Sequence, residues 1–94
     1  MNKELNAQTA WVADSGHGWL VVDYREAPAA LNYASSFSYV DAAEGYVYLE
    51  EDDDAPAYVA QFGVKDNLPE LYQDGESLEI RNLPRGTAKA VSNV

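Results

Sequence analysis

The chain has 94 residues, enough for one domain and too few for two. It contains no cysteine, which excludes disulfides, thiolate chemistry and Cys-based zinc sites. Six Lys and Arg face sixteen Asp and Glu, a formal net charge of −10 that repels nucleic acid and anionic membranes and favours basic surfaces as partners.

Residues 1–7 are polar and expected to fray. Their charges are followed by no apolar run, so a signal peptide is not expected. No stretch approaches the ~18–20 apolar residues of a membrane span. The expectation is a soluble cytoplasmic protein with no membrane partner.

Thr9–Ala13 suits a first strand, with Trp11 and Ala13 on one face. Asp14-Ser15-Gly16-His17-Gly18 reads as a turn. Trp19–Tyr24, β-branched and aromatic, is the return strand of an antiparallel hairpin. Pro28 predicts a short helix between Arg25 and Tyr33. Ser35–Val40 alternates as a strand, and Gly45 is the expected positive-φ residue of a hairpin loop over 41–45. Tyr46–Glu50 returns, with Tyr46, Tyr48 and Glu50 on one face and Val47 and Leu49 on the other.

Asp53 or Asp54 is placed to cap a helix with Pro56 in its first turn and Gly63 as its terminator. Tyr58, Val59 and Phe62 fall at helical spacing and should dock on the sheet. Leu68–Tyr72 reads as extended, Asp74-Gly75 as a turn, and Ser77–Ile80 as a last strand; Thr87–Val94 is expected to be a tail. The fold class is α+β: an antiparallel sheet of four to five strands in two hairpins, with one or two short helices on one face.

Catalytic chemistry has little to work with. Asp14, Ser15 and His17 are too close in sequence to take up a triad's geometry readily, and His17 is better read as a turn residue whose ring bonds backbone or packs on Trp19. A calcium loop starting at Asp52 would need Gly where Ala57 stands and Glu where Gly63 stands. No phosphate-binding loop or nucleophile elbow is present. The expectation is no catalytic residue, no metal and no cofactor.

The charge is unevenly placed. Between Arg25 and Lys65 there is no Lys or Arg, yet the interval holds Glu26, Asp41, Glu44, Glu50, Glu51, Asp52, Asp53 and Asp54. Asp41, Glu44 and the run 50–54 are therefore the candidate partner-binding acids. Tyr39, Tyr46 and Tyr48 are candidate aromatic anchors beside them. Such a face can occupy a basic nucleic-acid groove; the alternative is a solvated surface whose acidity is incidental, with the tyrosines forming a partner or homodimer interface.

The stretch Ser15–Leu20 with Phe37-Ser38-Tyr39, Tyr48–Asp52 and Asp54-Ala55 resembles small acidic proteins of phages, plasmids and integrated mobile elements. Arg81–Pro84 extends the resemblance. Such proteins often carry Cys where this chain has Asp53, so a thiol role does not carry over. The resemblance implies a bacterial host and a class that includes antirestriction and anti-CRISPR inhibitors, some of which imitate DNA. The partner would then be the basic surface of a nucleic-acid-binding complex.

Overall fold

The computed structural model describes residues 3–14 and 16–72. The segment expected to form a last strand at Ser77–Ile80, the C-terminal tail, Arg81 and Arg85 lie outside the described residues.

The chain is α+β. Its elements are α1 (Lys3–Ala7), β1 (Gln8–Ala13), β2 (Gly18–Asp23), a 3-10 helix (Pro28–Tyr33), β3 (Tyr39–Asp41), β4 (Tyr46–Glu50), α2 (Asp54–Phe62) and β5 (Glu70–Tyr72). The five strands form one sheet in the order β3-β4-β2-β1-β5. Three of the four pairings are antiparallel; β1 and β5 run parallel.

The two hairpin returns follow from their turn chemistry. Asp14 Oδ1 accepts the amides of Gly16 and His17 at 2.8 and 2.7 Å, closing the first turn. Gly45 has φ +82°, a left-handed value that L side chains avoid. The Arg25 side chain lies against it, and a Cβ there would collide with Arg25 Nε.

Alternation divides the sheet residues between two faces. Leu20, Val22, Val40, Val47 and Leu49 lie on the face that carries the helices, packed with Ala27, Ala30, Ala55 and Tyr58. The other face gathers Ala10, Val12, Trp19, Val21 and Tyr39, flanked by Tyr46 and Tyr48. Helix α2 ends at Gly63, φ +88°, whose amide donates to Val59 O at 2.7 Å. Tyr58 is fully buried, a burial that stabilises by roughly 1.5–3 kcal/mol. Val59 and Phe62 pack at the edge of the same core.

Three expectations are corrected. The N-terminal segment is helical from Lys3, because the Tyr58 hydroxyl donates to Glu4 O and Glu4 Oε1 at 3.2 and 3.0 Å and Ala7 is buried. Residues 35–38 are a turn rather than the start of β3. There the Ser38 hydroxyl accepts the Glu50 amide at 2.9 Å, which a neighbouring strand's carbonyl would otherwise take. The sheet is not wholly antiparallel, since β5 arrives after α2 and pairs Trp11–Ala13 in parallel.

Candidate functional site

The acid run begins where β4 stops. Glu50 is the last strand residue, its side chain on the Trp19 face and opposite Trp19 in the register. Its Oε2 accepts the Asp52 amide at 2.7 Å and its Oε1 the Asp53 amide at 2.9 Å. The carboxylate thereby folds the chain into the turn that launches α2. Asp54 points inward from the first residue of that helix. Its Oδ2 accepts the Ser35 amide and hydroxyl, both at 2.7 Å, and the Ser38 hydroxyl.

Glu50 and Asp54 are each only 6% exposed. Buried carboxylates persist only where hydrogen bonds replace water, and here they do. Neither is on an open acidic face. The capping expectation is corrected with them. Asp53 occupies the N-cap position but its side chain makes no capping bond, and Asp54 bonds away from its own helix.

The other acids divide by position. Glu51, Asp52 and Asp53 are exposed at the β4–α2 turn. Glu44 is exposed at the opposite end of β4, five residues that span roughly 17 Å. Asp41 is half-buried and its Oδ1 accepts the Glu44 amide at 3.1 Å, bracing the hairpin loop. None of the described Lys or Arg side chains salt-bridges Glu51, Asp52 or Asp53; Arg25 lies near Asp23 instead, at 3.6 Å. The Glu50 charge, with Glu51 and Asp53 adding, pushes the Asp52 carboxyl above its usual value.

The tyrosines also divide. Tyr39 is 3% exposed and packs edge-on against Trp19, ring centroids 6.0 Å apart. It is a core residue, not an open anchor. Tyr46 and Tyr48 are half-buried. Burial first, then Asp41, Tyr46 and Glu44, raise the Tyr48 hydroxyl above its ordinary value.

Beside the exposed acids lies a pocket of about 350 Å³. Its walls are rings: His17, Trp19, Phe37 and Tyr39. Its polar side is Glu50, Asp52 and Asp53. His17 stacks on Trp19 at 6.2 Å with 27° between the rings, one of the two roles expected of the lone histidine. Phe37 is 62% exposed, an unusual setting for a Phe. Among the described residues no group of three or more His, Cys, Asp or Glu is disposed to hold a metal ion.

Sequence reasoning missed this pocket. Phe37 reads as one tooth of an alternating strand, whereas the Ser35–Ser38 turn swings it out. The one available signal was a large ring set between Ser36 and Ser38, residues that favour turns.

No protein-family model, curated protein or solved structure matches this chain. No helix among the described residues is long and apolar enough to cross a membrane.

Proposed function

We propose that this chain is a non-enzymatic binding protein that docks its acidic β4–α2 turn on the basic surface of a nucleic-acid-binding complex and blocks it, as a DNA-mimic inhibitor does. The observation that carries the reading is the state of Glu51, Asp52 and Asp53. They are consecutive, exposed and without a salt bridge to any described Lys or Arg. Mutual repulsion of this kind is a standing cost, which a cationic partner relieves. The raised Asp52 carboxyl expresses the same local potential.

The geometry narrows the contact surface. Glu50, Asp54 and Asp41 are occupied by bonds within the fold, so the docking charges are Glu44 at one end of β4 and residues 51–53 at the other. A separation of roughly 17 Å exceeds a Debye length at physiological salt, so the two groups meet different parts of a partner. The 51–53 group is the denser and is assigned the main contact. The setting is the cytoplasm of a bacterial host carrying a mobile element.

The test is displacement of labelled duplex DNA from restriction and CRISPR effector complexes by the full chain. Displacement should weaken steeply with added salt and be lost on Glu51→Lys/Asp52→Lys/Asp53→Lys, with an unchanged circular-dichroism spectrum. Equal potency of the triple variant would remove the proposal.

A further inference from the structure

We infer that the pocket walled by Trp19, Tyr39 and Phe37 and edged by Glu50, Asp52 and Asp53 receives an arginine side chain from the basic partner. The inference rests on the docking reading above and names the group that would anchor it.

The pocket's chemistry is two-sided. Aromatic faces attract cations through their quadrupole, and carboxylates pair with them directly. An apolar ligand would desolvate Asp52 and Asp53 without compensation, and an anion would be repelled. A volume of about 350 Å³ is at the small end of ligand sites, suited to one side chain rather than a stretch of backbone. A bare metal ion is disfavoured, since both Glu50 oxygens already accept an amide and among the described residues no metal-ligand group is assembled.

Arginine fits better than lysine. Its guanidinium is planar, stacks on aromatic faces, is weakly hydrated and bridges carboxylates with two parallel bonds. Trp19 and Tyr39 are buried and meet edge-to-face as the floor of the pocket, and Phe37 projects into solvent, so the ring open to a cation is Phe37. The exposed Phe37 is not needed by the core. A ring held outside the core beside carboxylates is the expected form of a cation-binding wall.

The experiment is an NMR titration of the full chain, at one fixed pH, with N-acetyl-arginine methylamide. The lysine analogue and the neutral isostere N-acetyl-citrulline methylamide serve as the other arms, at matched ionic strength. The arginine probe should shift the Trp19 indole and the Phe37, Asp52 and Asp53 amides saturably. The lysine probe should bind several-fold more weakly, and citrulline should leave the spectrum unchanged. Asp52→Asn/Asp53→Asn should weaken the arginine probe about tenfold and Phe37→Ala about threefold, both with native spectra elsewhere. No saturable shift with the arginine probe, equal binding of citrulline, or indifference to Asp52→Asn/Asp53→Asn would each overturn the inference. DNA displacement that survives Phe37→Ala and loses nothing to excess arginine probe would leave the docking proposal standing and this pocket excluded. Arginine binding without any DNA displacement would do the reverse.

Discussion

Ser38 and Asp54 are joined by a buried hydrogen bond: the Ser38 hydroxyl donates to Asp54 Oδ2 while accepting the Glu50 amide at 2.9 Å. One hydroxyl thus ties the 35–38 turn, the end of β4 and the start of α2. The acid run is split by this relay. Its two outer members, Glu50 and Asp54, serve the fold, and its three inner members face solvent.

Asp54→Ala should therefore destabilise the protein by about 2–4 kcal/mol, because three donors lose their acceptor in a buried setting. Asp53→Ala, with no side-chain bond to lose, should stay within about 0.5 kcal/mol of the parent. Urea unfolding of the two variants measures the difference. Similar destabilisation by both would contradict the division.

Gly45→Ala should cost about 1–2 kcal/mol, since φ +82° strains any L side chain and the new Cβ meets Arg25. Arg25→Ala removes the steric part and leaves the backbone strain. In a double-mutant cycle, Gly45→Ala should be milder in the Arg25→Ala background. Strict additivity would show that the Arg25 side chain gives way freely.

Asp52 carries a pH signature. Its carboxyl in the folded protein lies above the ordinary value, chiefly because of Glu50. The folded state then holds that proton more tightly than the unfolded one. Its contribution is fully present below the ordinary carboxylate value and is lost as pH rises through the raised one. Asp52→Asn should raise the Tm at pH 7, and the gain should shrink as pH falls into the carboxylate range. Added salt should shrink it too, because the group is exposed. Thermal melts across pH check the sign; a lower Tm for Asp52→Asn at pH 7 would refute it.

Tyr58 anchors α1. Tyr58→Phe removes the bonds to Glu4 and should cost about 0.5–1.5 kcal/mol. Burial, then Glu4, raise the Tyr58 hydroxyl above its ordinary value of 10.0. Stability should thus decline as pH climbs above that ordinary value, because the unfolded chain ionises first. Tyr58→Phe should flatten this alkaline decline, measured by urea midpoints between about pH 9 and pH 11.

What the sequence discloses here depends on range. The β4 strand is legible from alternation alone, and α2 from Pro56 and Gly63, because those signals are local. The helix over Lys3–Ala7 is not, since its polar letters become helical only on meeting Tyr58, more than fifty positions away. Ser35–Ser38 misleads for a similar reason: its pattern suits a strand, but its hydroxyls find Asp54 and Glu50. The extended run Leu68–Tyr72 is legible and contains β5, but its parallel pairing with β1 has no local mark. Nor do five consecutive acids reveal that Asp54 turns inward to serines 16 and 19 positions upstream, or that Glu50 folds back on the amides of Asp52 and Asp53.

The measurement that bears most directly on the docking proposal is the salt dependence of DNA displacement for the parent and for Glu51→Gln/Asp52→Asn/Asp53→Asn, a variant that keeps Glu50 and Asp54. Near-parental stability, at least about a tenfold loss of potency and a shallower dependence on salt are the expected results. Parental potency with an unchanged salt slope would contradict the docking proposal.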